Sequence, residues 1–448
     1  MTTHKHIHIH KNKTSKKKQL YGHNIDTNKN GWKAISIYGD AFDRGFAHGT
    51  LLYKELSTIK KAFPIFVKEY CDMSLEEYMK VSLHTIKPII KEHFHEFYQE
   101  LQGISQGARR AGAKTITLDF LIAWNSYLSL YNYQNTKWSG RCSAFIATGN
   151  ATRNGDIIMA HNTHCSFFES QFFNIILYVY PTTGHSFVMQ TAAGYIASGV
   201  DWFITSSGIM GCETTISNVN YNSEFGFPYF CRIRQAMQYG DTFDDYCSIM
   251  DYKNAGDYAS SWLFGNIHTN EIMLYEQGYK YKSIQRTKNG VYYGFNSAMN
   301  NTLRKKETDD IDHTNITTSS GCRHQRFEEL LNKRYRGVID TNNAKKIIAD
   351  HYDCYLEKNR MGTRGICKHN EVSEEHNETD YPYSMFGTVD AKTVNSEMAK
   401  KMEFLAIYGS ACGRRFSIKK HIENYPYYKK SGKFVKDFIG YDWVLIEK

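Results

Sequence analysis

The stretch Trp138-Ser139-Gly140-Arg141-Cys142-Ser143-Ala144-Phe145-Ile146-Ala147-Thr148 divides the chain into two textures. Before it, residues 75–135 carry apolar side chains at three-to-four spacing, in 75–78, 86–90 and 118–130, the mark of amphipathic helices. After it come β-type runs at 142–148, 156–160, 172–180, 185–190, 202–205 and 209–216. The first two runs are joined through Arg153-Asn154-Gly155, where Asn-Gly is a strong hairpin signal. Strands joined by such a turn bring their far ends together, so His161-Asn162-Thr163-His164 should return beside Cys142.

Outward from this junction, residues 31–38 alternate as a strand and 41–56 turn helical, with Gly45 and Gly49 on the way. Residues 229–239 and 243–250 read as helices, followed by strands at 261–265 and 271–275. Helices at 325–334 and 343–351 precede late strands at 385–389 and 404–408, and no internal repeat is present. Helices, then antiparallel strands, then helices and more strands point to an α+β fold and not to a parallel doubly wound sheet. Three parts are expected: a basic tail over 1–19, a mainly helical segment over 20–141, and a catalytic domain over 142–448.

Composition narrows the function classes. Of 448 residues 41% are hydrophobic, 15% aromatic and only 23% charged, which supplies a large core and excludes a mostly disordered chain. No apolar run approaches membrane-spanning length. The net charge is +9, but Lys5, Lys11, Lys13, Lys16, Lys17 and Lys18 all precede the first acid, Asp26. The body is therefore nearly balanced, and no nucleic-acid partner is expected. The tail offers at most a weak contact with an anionic membrane surface. The alternating His4, His6, His8 and His10 have no scaffold behind them. Residues 1–30 contain no apolar stretch of the kind a secretory signal needs, which predicts a reducing, cytoplasmic location with free thiols. Cys354 and Cys367, thirteen positions apart, are the closest of ten scattered cysteines. That spacing lacks the paired knuckles of a zinc site, so neither metal nor cofactor is expected. Asn-x-Thr triplets at Asn150 and Asn315 are what an Asn-rich chain produces by chance.

Cys142 is the residue that carries chemistry. A cysteine at a strand start is ordinarily a small buried hydrophobe. Here a loop-like approach precedes it and His161 and Asn162 return to it, and a thiol with imidazole and amide neighbours can become an activated nucleophile.

The order of motifs resembles that of phospholipase B-like proteins. It runs through Cys142-Ser143-Ala144, His161-Asn162-Thr163, Ser206-Ser207-Gly208-Ile209 with Glu213-Thr214-Thr215, and Asn254-x-Gly256-x-Tyr258-x-x-x-Trp262. Phe386-Gly387-Thr388-Val389-Asp390-Ala391-Lys392 follows near the end. These proteins are N-terminal-nucleophile hydrolases, related to acyl-CoA:6-aminopenicillanic acid acyltransferases. The acyltransferase side is echoed by Asp43-Arg44-Gly45-Phe46-Ala47-His48-Gly49 and by Gly103-Ile104-Ser105-Gln106-Gly107-Ala108. The resemblance covers roughly residues 31–415. The family carries Trp after His-Asn-Thr where this chain has His164, which alters the wall of the acyl pocket.

The resemblance implies a four-layer αββα sandwich and autocleavage of the Arg141–Cys142 bond. The two cleaved chains would stay partners, and the substrate would be an acylated lipid or an N-acyl small molecule. The freed α-amine of Cys142, with an unperturbed pKa near ~8, would serve as base for its own thiol in hydrolysis of a linear amide or carboxylic ester. By family position Asn296 supplies an oxyanion donor, His161 and Asn162 orient the amine or the scissile group, and Thr214 lines the site. His164, Trp262 and Arg364 are assigned to substrate binding. Each residue also has a plainer reading. His161 can be a hydrogen-bonded strand-end histidine, Asn296 part of a polar loop, and Thr214 one face of a half-buried strand. Arg364 can be a surface arginine, and Arg323 and Arg326 read as structural residues opening a helix. Cys165, Cys212, Cys231 and Cys412 read as buried thiols. An acyltransferase or amidase with the same nucleophile, a papain-like Cys/His enzyme and a non-enzymatic lipid-binding scaffold remain as alternatives.

Overall fold

The computed structural model describes residues 19–25, 30–130, 142–217, 219, 225–310, 312–375 and 382–448. Nearly all of the expected basic tail, together with Arg141, lies outside these residues.

Strands, numbered along the chain, form two large sheets. In spatial order the nine-stranded sheet runs β1 (Gly22–Ile25), β2 (Lys33–Gly39), β5 (Ile175–Pro181), β6 (Phe187–Thr191), β7 (Trp202–Thr205), β8 (Ile209–Thr215), β9 (Ser260–Asn266), β10 (Glu271–Gln277) and β11 (Lys282–Thr287). The six-stranded sheet runs β12 (Gly290–Gly294), β3 (Cys142–Gly149), β4 (Gly155–Ser166), β15 (Phe386–Asn395), β16 (Phe404–Tyr408) and β17 (Val444–Ile446). A small ribbon joins β13 (Tyr352–Asp353) to β14 (Lys358–Asn359). Pairing in the two large sheets is antiparallel except between β2 and β5. The connection between those two passes through helices and through the other sheet, which gives the length a parallel crossover needs.

The two faces of β3 explain why it is buried from Cys142 to Thr148 and carries no alternating polar face. Ala144 and Ile146 join the core that fills the space between the sheets, with Ile157 and Met159 of β4. Phe145 and Ala147 point the other way, into a second core closed by Phe327, Leu330, Ala344 and Ile347. Those residues come from the helices Ser319–Glu329, Leu330–Arg334 and Thr341–Ile348. A strand covered on both faces loses the polar alternation of a solvated one.

The described residues between 20 and 130 are mainly helical, but they also supply β1 and β2 to the larger sheet. The helix Ala41–Leu51 lies against His95–Arg110 so closely that a side chain at Gly45 would meet the Glu100 carbonyl at 2.1 Å. Beside that contact Arg44 pairs with Glu100 and Glu96 at 2.7 Å each. Among the described residues, no helix is long and apolar enough to cross a membrane.

Several elements differ from expectation. The strand expected at 156–160 extends to Ser166, because β15 pairs along its whole length. The helix expected at 325–334 begins at Ser319, where the Thr318 hydroxyl accepts from the Gly321 N–H as an N-cap. Strands β11 and β12 have no counterpart in the expectation, since β11 is an exposed edge without an apolar face.

Candidate functional site

The β3–β4 pair sets the geometry. Cys142 stands directly opposite Thr163, Ser143 opposite Asn162, and Ala144 opposite His161. Opposed residues share a face and neighbours alternate, so Cys142, Thr163 and His161 face the space between the sheets. Asp390 and Lys392 of β15 face the same space, opposite Thr163 and His161.

Asn162 and His164 face the helices instead. The Asn162 amide donates to the carbonyls of Ile348 at 2.7 Å and Ile366 at 3.0 Å. His164 Nε2 also reaches the Ile366 carbonyl, at 3.1 Å. This corrects the expectation that Asn162 orients groups at Cys142: its backbone is adjacent, but its side chain anchors the layer behind the nucleophile. The same alternation turns His164 away from the face that carries Cys142. Its backbone N–H nevertheless hydrogen-bonds the thiol.

The Cys142 thiol is buried and held well above its ordinary range by desolvation, reinforced by the Glu213 and Asp201 carboxylates. The His164 N–H and the Lys392 ammonium pull the other way without reversing that direction. His161 Nε2 is engaged with the Glu213 carbonyl at 3.0 Å. Burial and the adjacent Lys392 keep this imidazole well below the usual histidine range, so it is neutral. With Nε2–H given to that carbonyl the lone pair lies on Nδ1, which has no hydrogen-bond partner among the described residues, so the thiol–imidazole hydrogen bond of a papain-type site is not formed.

Arg323, which read as structural, sits at the centre of the arrangement. From the helix Ser319–Glu329 its Nη1 donates to the Cys142 carbonyl at 2.8 Å and to Ser143 Oγ at 2.9 Å. Its Nη2 donates to Asn296 Oδ1 at 2.9 Å. The guanidinium is fully buried, which pushes it down to about 10. Among the described residues no carboxylate pairs with it. Asn296 is itself stitched to the end of β8: Nδ2 donates to the Thr215 carbonyl at 2.9 Å, and its own carbonyl accepts from the Ser217 N–H. It adopts φ +72°, a conformation that asparagine tolerates better than most residues.

Thr214 projects toward the six-stranded sheet. Its hydroxyl lies so near Gly294 that a Cβ there would meet Oγ1 at 2.2 Å. That hydroxyl is buried and without a hydrogen-bond partner among the described residues.

A further buried network was missed in the sequence, although its residues lie in motifs quoted from it. Lys392 Nζ donates to Asp390 Oδ1 at 2.5 Å and to Thr163 Oγ1 at 2.8 Å. Asp390 Oδ2 accepts from Gln190 of β6 at 2.9 Å, which ties the two sheets together beside Cys142.

Two substrate-binding assignments fall elsewhere. Trp262, opposite Glu213, stacks on Phe264 and Tyr229 in the core toward the helices Tyr229–Tyr239 and Phe243–Asp251. Arg364 is buried, not on the surface, and already holds Asp353 at 3.0 Å and Glu375 at 2.7 Å. The carboxylates it grips belong to the protein.

The ten cysteines are unpaired thiols. The absence of metal-ligand spacing is corrected by the fold, however: His351, Cys367, His369 and Cys412 converge, with ligand atoms all within 4.8 Å of one another.

No family model matches the chain. An uncharacterised protein of Archaeoglobus fulgidus is 25% identical over 253 residues, which cover 52% of this chain and 41% of that protein. The chain thus spans well under half the length of this curated relative. Among solved structures, a variant of conjugated bile acid hydrolase from Clostridium perfringens is 9% identical with a TM-score of 0.27. That match covers 70% of this chain and 90% of the other, at a score below that of a shared fold.

Proposed function

We propose that this chain is a self-processing hydrolase whose nucleophile is the thiol of Cys142, made N-terminal by cleavage of the Arg141–Cys142 bond. In this reading the two facing sheets and the helices on them form a four-layer αββα sandwich. The observation that carries it is the state of Cys142. The thiol opens a buried strand, is kept protonated by its surroundings, and among the described residues is hydrogen-bonded to neither nearby imidazole, His161 or His164. A freed α-amine on the same residue supplies the missing base, with an ordinary pKa near ~8.

The thiol then attacks the carbonyl of a linear amide or ester while its proton passes through the α-amine to the departing amine or alcohol, and water hydrolyses the thioester to the free acid and restores the thiol. Asn296 is the oxyanion donor in this scheme. One of its amide protons is committed to the Thr215 carbonyl and the second can be donated. The charged contact from Arg323 on Oδ1 polarises the amide and strengthens that donor. Thr214 lines the site. His161 is held neutral and acts by position. The substrate class, an acylated lipid or N-acyl small molecule, rests on the motif resemblance.

The test is intact mass and N-terminal sequencing of purified protein, followed by acid release from N-acyl amide and lysophospholipid probes. Two fragments beginning at Cys142, a single chain for Cys142→Ala, and acid release by the wild type alone are expected. Intact wild-type chain with full activity would overturn the free-amine mechanism. Intact chain without activity would leave a lipid-binding scaffold.

A further inference from the structure

We propose that His351, Cys367, His369 and Cys412 form a structural zinc site. The four residues come from three separated places. His351 follows the helix Thr341–Ile348, Cys367 and His369 sit in the loop before β15, and Cys412 follows β16. His369 Nε2 lies 3.4 Å from both Cys367 Sγ and Cys412 Sγ. Ligands on a tetrahedral zinc, at about 2.0–2.3 Å from the ion, are about 3.4–3.8 Å apart, so these contacts already have the length of tetrahedron edges. His351 completes the set. Its Nε2 is sealed from solvent, and its ring centroid is 5.2 Å from that of His369.

The surroundings are those of a ligand set and not of two chance thiols. Glu371 Oε1 takes the other ring nitrogen of His369 at 2.9 Å, fixing the tautomer that leaves Nε2 for the metal. The Cys367 N–H is held by the Asp350 carbonyl at 3.0 Å and the His369 N–H by the Gly362 carbonyl at 2.8 Å. The ligand-bearing backbone is therefore fixed before any ion arrives. Two sulfurs and two imidazoles in tetrahedral reach select zinc over harder cations. On binding, both thiols lose a proton to solvent and the two thiolates neutralise the ion.

The site would clamp the loop that backs the nucleophile. Ile366, one residue before Cys367, offers the carbonyl that Asn162 and His164 of β4 share. Zinc would thus staple the end of the helix Thr341–Ile348, this loop and the end of β16 behind the strand pair that carries Cys142, without entering the chemistry.

The experiment uses the full chain with His4, His6, His8 and His10 changed to alanine, so that the tail cannot contribute metal. After expression with zinc and dialysis against metal-free buffer, about one zinc per chain should remain by mass spectrometry. Exchange for cobalt(II) should give intense tetrahedral absorption with a thiolate charge-transfer band, a readout that needs no variant. Stripping the metal should lower the melting temperature by about 5 °C or more. Cys367→Ser combined with Cys412→Ser should lose the zinc, while Cys142→Ala should retain it, which separates this site from the proposed chemistry. Less than a tenth of an equivalent after zinc loading, cobalt spectra lacking the thiolate band, or a Cys367–Cys412 disulfide in freshly purified protein would overturn the proposal.

Discussion

Arg323 Nη1 donates to the main-chain carbonyl of Cys142 at 2.8 Å, from the same guanidinium whose Nη2 holds Asn296 at 2.9 Å. One rigid planar group thereby fixes the distance between the proposed nucleophile and the proposed oxyanion donor. Lysine offers one ammonium and cannot span both. Arg323→Lys is expected to lower kcat at least about tenfold with little change in KM, and to slow disappearance of the uncleaved chain. It should also destabilise the fold by about 1–3 kcal/mol, because a buried acceptor loses its partner. Wild-type turnover and cleavage would show that this bridge only fills space.

Cleavage at Cys142 should not release the preceding segment. β2 pairs with β5 along seven residues, one strand in from the edge of the larger sheet. Trp124 Nε1 donates to the Ala193 carbonyl at 3.1 Å, and Asn125 is bonded to both Gly194 and Ile196. Arg234 reaches back to Glu100 at 3.0 Å. The cleaved protein is expected to elute from gel filtration as one species and to separate into two chains only in denaturant. Elution of the catalytic part alone under native conditions would contradict this docking.

His48 provides a pH test apart from the catalytic residues. Its buried Nε2 accepts the Gly194 N–H at 2.8 Å, and burial lowers the imidazole to about 4. In the unfolded chain the ordinary value is near ~6.5, so the unfolded state takes up the proton first as pH falls. Stability is full above ~6.5 and is lost progressively towards pH 4, by about 3 kcal/mol from this group. His48→Gln keeps an acceptor for Gly194 and removes the titration. Urea unfolding at pH 7.5 and 4.5 should show a smaller acid loss in the variant than in wild type. Equal losses would mean that His48 is protonated without cost.

The strand skeleton around the site is legible in the sequence because its signals are local. Asn154-Gly155 turns the hairpin, and the run from Cys142 is rich in apolar residues at 144–147. Local patterns cannot say which face a strand residue takes until the register is known, and the register turns the Asn162 amide to the Ile348 and Ile366 carbonyls, away from the groups it is expected to orient. Arg323, Asp390 and Lys392 act through partners more than a hundred and eighty positions away, such as Cys142 and Thr163. No spacing rule reaches that far. The His351–Cys412 cluster fails the zinc pattern for the same reason, since only the packing of β15 and β16 gathers its ligands.

Asn296 gives the sharpest test of the chemistry, provided that the variant respects its backbone. At φ +72° an alanine would add strain of about 1–2 kcal/mol and confuse stability with catalysis. Glycine adopts that conformation freely and still removes the amide, so Asn296→Gly isolates the hydrogen bonds. Losing one preorganised oxyanion donor typically costs about a hundredfold or more in kcat, with KM nearly constant, because the bond forms fully only in the transition state. The variant also strands the Thr215 carbonyl and the Arg323 Nη2, so a modest fall in melting temperature is expected in either case. The deciding quantity is turnover per folded molecule. A hundredfold loss in protein that remains folded and cleaved at Cys142 assigns Asn296 to the reaction, whereas normal turnover of the folded fraction assigns it to the joint between β8 and β12.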